Sequence, residues 1–152
     1  MQVKSILVPI DFTENSRSAL RYATELAKRF DATVVALHVI PDEEVAGVYI
    51  QKRTPERVQE IRKEVEEEFE KFVPEDIERS LQAQKLIKVG EPYVEIIRHA
   101  RNSGVDLIVM ATHGRSGISH TLLGSVAEKV VRKASCPVLT VKHSDFQFEM
   151  IL

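Results

Sequence analysis

The residues best suited to chemistry lie in one glycine-rich stretch, ATHGRSGISHTLLGSV, at positions 111–126. It contains three of the chain's six glycines, Gly114, Gly117 and Gly124, together with Arg115 and several serine and threonine hydroxyls. Glycines let a backbone approach a bound anion closely, and arginine and hydroxyl groups donate hydrogen bonds to phosphate oxygens. The stretch also runs into the predicted start of a helix, where unpaired N–H groups attract anions. Together these features favour a phosphate-binding loop.

Other interpretations of this stretch are open or are excluded by its pattern. A glycine-rich loop with hydroxyl residues is more often a simple turn than a ligand site. The pattern G-x-x-x-x-G-K-[ST] is absent, and no G-x-G-x-x-G follows the first apolar run, which excludes the P-loop and dinucleotide-binding classes. The nucleophile pattern G-x-S-x-G is also absent, and His113 and His120 belong to no H-x-x-x-H pair. We therefore predict neither a catalytic nucleophile nor a protein-held metal.

Composition indicates one ordinary globular domain. The chain has 152 residues, of which 43% are hydrophobic and 29% charged. The 21 Lys and Arg residues are balanced by 23 Asp and Glu residues, so no positive field favours nucleic acid. No apolar run reaches the length of a membrane span and the first residues do not resemble a signal peptide, so we expect a cytoplasmic protein without membrane contact. The single cysteine, Cys136, is expected to pack as a small buried hydrophobe.

Five short apolar runs alternate with helical patterns along the chain. They span residues 4–10, 32–40, 83–89, 105–111 and 137–142. Four are almost continuously apolar, as in strands buried on both faces of a parallel sheet, whereas the run at 83–89 is mixed and is expected at an edge. This order predicts an α/β fold with a single doubly wound, Rossmann-like, five-stranded parallel sheet and helices on both faces. Ligands of such sheets bind beyond the carboxyl ends of the strands, which is where the glycine-rich stretch lies.

Capping residues and prolines predict the helix boundaries. These are Thr13 or Ser16 at the start of the first helix, Thr54 and Pro74 around the second, Pro92 and Gly104 around the third, and a capping box of Ser125 and Glu128 at the start of the fourth. The many charges of the second helix are expected to form its solvated face rather than a binding arm.

The chain resembles the universal stress protein family over essentially its whole length. The resemblance runs from ILVPIDFTENSRSAL through LHVI to IVMATHGRSGISHTLLGSVAEKVVRKASCPVLTVK. The nucleotide-binding branch of that family carries the pattern G-x-x-G-x9-G-[ST]. Its positions here are Ala111, Gly114, Gly124 and Ser125, with nine residues between the two glycines. The spacing matches, and alanine replaces the first glycine, where its Cβ would crowd a ligand and weaken binding without abolishing it.

The resemblance implies a role for each residue of a nucleotide site. Asp11 would reach the ribose or the adenine edge; from the residues alone it could equally brace the turn before the first helix. From its place in the glycine loop, and not from the resemblance, His113 is expected either to donate to phosphate or to orient the loop. The implied site residues are Pro9 as the floor, Val39 and Met110 around the adenine, Ala111, Gly114, Arg115, Ser116 and Gly117 along the phosphates, and Gly124, Ser125, Val126 and Ala127 at the helix start.

The resemblance also implies a function. We expect a regulatory module of the stress response that binds ATP, with magnesium brought by the phosphates, and that forms a homodimer through the last strand, PVLTVK. The alternatives are a slow ATPase or phosphoryl-transfer enzyme that uses the same pocket, and a nucleotide-free protein-interaction scaffold, for which Ala111 is the motivating departure. We assign residues 1–142 to the domain. The apolar tail at 143–152 is expected to pack on the domain or on a partner subunit.

Overall fold

A computed structural model of the chain describes residues 2–43, 54–81, 83–114 and 123–142. Strands and helices alternate along these ranges, and each strand lies within one of the five apolar runs. The elements are β1 (Ser5–Pro9), α1 (Glu14–Phe30), β2 (Thr33–Ile40), α2 (Pro55–Phe72), α3 (Glu75–Leu81), β3 (Gln84–Val89), α4 (Pro92–Asn102), β4 (Leu107–Ala111), α5 (Ser125–Lys133) and β5 (Val138–Val141). No helix of the described ranges is long and apolar enough to cross a membrane.

The strands form one five-stranded parallel sheet in the order β3-β2-β1-β4-β5. The chain proceeds outward from β1 to β2 and β3, then crosses back to β4 on the other side of β1. The strand order therefore reverses between β1 and β4. Ile6 is paired with Val34 on one side and Leu107 on the other, so β1 is the central strand. The predicted fold class is confirmed, and the mixed third strand lies at an edge as expected.

Helices cover both faces of the sheet, because alternate residues of each buried strand point to opposite sides. One face packs against α1 and α2 through fully buried residues such as Ile6, Val8, Ala23 and Phe69. The other packs against α4 and α5 through residues such as Leu7, Ile108, Ile96 and Val130. Each of these larger side chains contributes roughly 1.5–3 kcal/mol by leaving water. The two cores hold β1 and β4 rigidly at the centre of the molecule.

Most helix boundaries agree with the capping residues in the sequence. Thr13 is the N-cap of α1 and its hydroxyl accepts a hydrogen bond from the N–H of Ser16 at 3.3 Å. Thr54 caps α2 in the same way, and α2 ends before Pro74. Gly104 follows α4 with φ +62°, the left-handed conformation that stops a helix. Short polar α3 was not predicted, because it has too few apolar positions to show a helical period.

The predicted capping box at Ser125 is wrong. The N-cap of α5 is Gly124, and Ser125 is the first helical residue. The N–H of Gly124 donates to the carbonyl of Thr112 at 2.6 Å, which holds Gly124 extended and starts the helix directly after it. Gly124 has no side chain with which to cap this helix start, so the N–H groups of the first turn receive no hydrogen bond from their N-cap residue.

Candidate functional site

A cavity of about 630 Å³ lies beyond the carboxyl ends of β1 and β4, where the strand order reverses. Its walls come from five places in the chain: the end of β1, the end of β2, the turn between β3 and α4, the segment after β4, and the first turn of α5. A cavity of this volume at this edge of a doubly wound sheet is the usual size and position of a small-molecule site.

The structure brings the described candidate residues together around this one cavity. They are Pro9, Asp11, Val39, Met110, Ala111, His113, Gly114, Gly124, Ser125, Val126 and Ala127. Arg115, Ser116 and Gly117 lie outside the described residues, as does the tail at 143–152. The geometry thus assembles one site from segments that are a hundred residues apart in sequence, and the role of each residue toward a ligand stays a prediction.

Sequence reasoning missed one wall of the cavity. Its residues follow β2 or lie in the turn before α4, with some buried neighbours: Ile10, Leu37, His38, Pro41, Asp42, Glu43, Gly90, Glu91, Pro92, Ile96 and Thr112. The strand pattern of the sequence could have indicated this wall, since β2 and β3 are also parallel strands whose carboxyl ends reach the same edge of the sheet. Gly90 has φ +151° and its N–H donates to the carbonyl of Ile40 at 3.0 Å, which ties this turn to the end of β2.

Asp11 braces the turn before α1 and also faces the loop after β4. One carboxylate oxygen accepts hydrogen bonds from the N–H of Thr13, at 3.1 Å, and from its hydroxyl. The other oxygen lies so close to Gly114 that a Cβ built on this glycine would be 2.7 Å away from it. A side chain at position 114 would therefore have to displace the Asp11 carboxylate. The bracing role and a place on the cavity wall belong to the same side chain.

Thr112 organises the segment that follows β4. Its N–H donates to the carbonyl of Val141 in β5 at 3.1 Å, and its own carbonyl accepts from Gly124. Its hydroxyl lies 3.1 Å from Nδ1 of His113. The carbonyl of His113 in turn accepts a hydrogen bond from the side-chain amide of Asn15, at 3.2 Å. These bonds hold the end of β4 and the start of α5 in fixed positions relative to α1.

The two ends of the cavity differ in chemistry. The first turn of α5 presents backbone N–H groups and the positive end of the helix dipole. Gly124 lets the segment after β4 approach this helix start closely, since a Cβ at this position would be 3.0 Å from the carbonyl of Thr112. Part of the remaining wall is apolar, with Leu37, Val39, Ile96 and Met110 all buried. A ligand with a flat apolar ring and an anionic group is complementary to this arrangement.

The described residues do not form a metal centre or a reactive thiol. Within the described ranges no group of three His, Cys, Asp or Glu side chains is placed to hold a metal ion. Cys136 is partly buried and packs against the core that lies under α4 and α5. Burial and the nearby Asp106 raise the pKa of its thiol, which keeps it protonated and unreactive at neutral pH. It behaves as the small hydrophobe that its sequence context predicts.

Fold and site together define a doubly wound α/β domain with a ligand-sized cavity at its switch point. The model of the universal stress protein family matches residues 2–142, and the chain belongs to that family. The resemblance in the sequence is thereby confirmed.

Two archaeal relatives from Methanocaldococcus jannaschii are similar over almost the whole chain. Universal stress protein MJ0531 is 37% identical over 91% of this chain and 82% of its own length. Universal stress protein MJ0577 is 33% identical over 93% of this chain and 96% of its own length. The solved structure of MJ0577 matches with a TM-score of 0.78, covering 96% of this chain and all of that one.

A more distant solved structure carries a ligand. It is a universal stress protein from Archaeoglobus fulgidus in complex with dAMP. It is 24% identical and matches with a TM-score of 0.59, over 93% of this chain and 100% of that one. At this identity the match shows that the fold is shared.

Proposed function

We propose that this chain is a regulatory module that binds an adenine nucleotide, ATP with magnesium, in the cavity beside β1 and β4. The observation that carries the proposal is the N-terminal turn of α5, which has a glycine as its N-cap and lines the same cavity as the buried apolar residues. The N–H groups of that turn would bind phosphate, and the wall of Val39, Met110 and Ile96 would contact the base. Support comes from the relative of the same fold that was solved with dAMP.

The replacement of the first motif glycine by Ala111 is compatible with this proposal. Ala111 is the last residue of β4 and is only half-buried at the cavity wall. A single methyl group there would cost about 1 kcal/mol of overpacking, which weakens binding several-fold. The motif's other two glycines keep the close approaches that the structure requires. The nucleotide-free scaffold remains the hypothesis that a failed binding experiment would support.

We favour binding over hydrolysis on the described charges along the cavity; Arg115, which the resemblance places along the phosphates, lies outside the described residues. Phosphoryl transfer needs cationic groups around the γ-phosphate and a positioned base. None of the described lining residues is a Lys or Arg, and the rim beyond β2 carries Asp42 and Glu43. Magnesium would be held by phosphate oxygens and water, because the described residues offer no cluster of ligands for it. A regulatory binding module needs only differential affinity, which this site can supply.

Thermal unfolding of nucleotide-stripped protein tests the proposal. Ligand at a hundred times its dissociation constant adds about 2.7 kcal/mol, which raises the Tm of a domain of this size by roughly 5–10 °C. We expect that rise with magnesium-ATP, a smaller rise with AMP, and less with GTP. Gly124→Val should abolish the response, because the added side chain fills the approach to the helix start. An unchanged Tm with every nucleotide at millimolar concentration would refute the proposal.

A homodimer through β5 extends the proposal. β5 is an edge strand, and it leaves Leu139 39% exposed. A second copy covering this edge would bury that side chain and the open backbone groups. Light scattering after size exclusion should give twice the chain mass for the wild type and one chain mass for Leu139→Lys. A monomeric wild type would contradict the dimer. The cytoplasmic location stays a prediction.

A further inference from the structure

Phe12, the residue after Asp11, has a backbone conformation that large side chains rarely adopt. Its φ is +64°, in the left-handed region, where the Cβ of any residue except glycine is crowded. Such a conformation persists only where the surroundings enforce it, and it occurs most often at functional sites. At Phe12 it turns the chain sharply between β1 and the N-cap of α1. Contacts of the Phe12 ring must therefore stabilise this backbone conformation.

The ring of Phe12 is enclosed by three other rings. His38 lies 4.6 Å away in a tilted arrangement, and Phe69 and Phe72 meet it edge-on at 5.2 and 5.4 Å. Both phenylalanines are buried at the carboxyl end of α2. Nδ1 of His38 lies 2.7 Å from the carbonyl oxygen of Ile10, just before the turn. The aromatic cluster therefore packs against the turn at Phe12, at distances typical of favourable ring contacts.

The same turn fixes the carboxylate of Asp11. One oxygen is held by the N–H and hydroxyl of Thr13, on the far side of Phe12. The other points to Gly114 across the cavity wall. Because Asp11 and Thr13 flank Phe12, a change in the backbone of Phe12 would move the carboxylate relative to Gly114. Residues of α2 do not occur among the described lining of the cavity, but Phe69 contacts both the ring of Phe12 and the lining residue His38, so α2 reaches the site through this aromatic cluster.

We propose that Phe12 is a positioning residue. Its ring, anchored by Phe69 and Phe72 of α2, holds the turn in the left-handed conformation and so keeps the Asp11 carboxylate against Gly114. Through Asp11 it sets the affinity of the cavity for its nucleotide; this part rests on the proposed function. The geometric part concerns the chain alone and is testable without ligand.

The ligand-free test uses Gly114→Ala as a reporter of where Asp11 lies. The new Cβ must displace the carboxylate, which we expect to lower the Tm by about 3–8 °C in the wild type. In a Phe12→Gly background the turn keeps access to its conformation at no steric cost but loses its anchor. Asp11 can then move aside, so Gly114→Ala should lower the Tm by less than half as much. An equal lowering in both backgrounds would overturn the proposal.

A second pair of variants guards against a Phe12→Gly protein that does not fold. Phe69→Leu weakens the anchor without altering the turn itself, and it should reduce the cost of Gly114→Ala in the same direction. Ile61→Val is the matched control. Ile61 is buried on the same helix but lies about 12 Å from Phe69, toward the N-terminus of the helix. The cost of Gly114→Ala should be unchanged in the Ile61→Val background, and a reduction equal to that of Phe69→Leu would contradict the positioning role.

The ligand test measures ATP affinity in a double-mutant cycle. Asp11→Ala should weaken ATP binding about tenfold in the wild type, the usual loss for a hydrogen bond to a charged group. In the Phe12→Gly background, where Asp11 is already misplaced, the further loss should be less than threefold. A merely structural Phe12 would give the tenfold loss in both. A wild type that binds no nucleotide would refute the proposed function, while the unfolding experiments would still decide the positioning role.

Discussion

Substituting Gly124 by alanine isolates the close contact at the start of α5. The backbone at Gly124 has φ −68° and ψ 159°, which any residue adopts, so no conformational penalty arises. The added Cβ would lie 3.0 Å from the carbonyl oxygen of Thr112. That oxygen is fixed, since it accepts the N–H of Gly124 itself at 2.6 Å. The strand end and the helix start must therefore move apart by a few tenths of an ångström.

The expected magnitude follows from two opposing effects. Overpacking against fixed backbone costs about 1–3 kcal/mol. Replacing glycine reduces the freedom of the unfolded chain and offsets about 0.4–1 kcal/mol of that loss. The difference spans about 0–2.6 kcal/mol, and with the oxygen held in place we expect a net destabilisation of about 1 kcal/mol or more for Gly124→Ala. Because the helix start moves away from β4, we also expect the affinity for ATP to fall about tenfold.

Urea unfolding measured with and without ATP provides the assay, with Gly104→Ala as the control. Gly104 has open space around it but φ +62°, so alanine there costs about 1–2 kcal/mol through the backbone alone. The control should lose similar stability and keep its ATP affinity. A Gly124→Ala protein as stable as the wild type, with an unchanged slope in urea, would refute the packing argument. Equal ATP affinity in both variants would refute the role of this helix start.

Three further predictions concern caps, the thiol and a buried charge. Thr13→Ala should cost about 1 kcal/mol in urea unfolding because it removes a cap, whereas Ser125→Ala should change stability by less than about 0.5 kcal/mol because no cap is lost. Cys136, whose pKa burial raises, should react with iodoacetamide more slowly than a free thiol at pH 8, as followed by mass spectrometry; a rate equal to that of glutathione would contradict this. Burial lowers the pKa of Lys85, but ion pairs with Glu70 and Glu78 outweigh it and raise the pKa overall. Lys85→Met should therefore be less stable than the wild type by about 0.5–1 kcal/mol below pH 10. This difference in stability should vanish as the pH rises past the raised pKa of Lys85. A difference that is independent of pH would contradict the contribution of these ion pairs.

The fold could be predicted from the sequence because its signals are local and repeated. Each strand is a short apolar run, and each crossover helix has an amphipathic period with a cap or a proline at its boundary. Right-handed crossovers then leave few ways to order the strands. The edge position of β3 followed from the mixed character of residues 84–89 alone.

The details of the site could be predicted only where the sequence marks them. Glycines 114 and 124 stand out by spacing, but the contacts that require them, with Asp11 and Thr112, are long-range and depend on how β1 and β4 pack. The predicted capping box at Ser125 is wrong for a related reason. A hydrogen bond from Gly124 to the strand end starts the helix one residue before the box would. The left-handed Phe12 has no local signal, since its cause is a ring cluster formed with α2.

The most direct test of the central claim is isothermal titration of nucleotide-stripped protein with magnesium-ATP, alongside the Gly124→Val variant. We expect saturable binding of one nucleotide per chain in the wild type and none in the variant. Heat no greater than that of dilution at millimolar ATP would contradict nucleotide binding. Wild-type affinity in Gly124→Val would contradict the assignment of the phosphate-binding end to the start of α5.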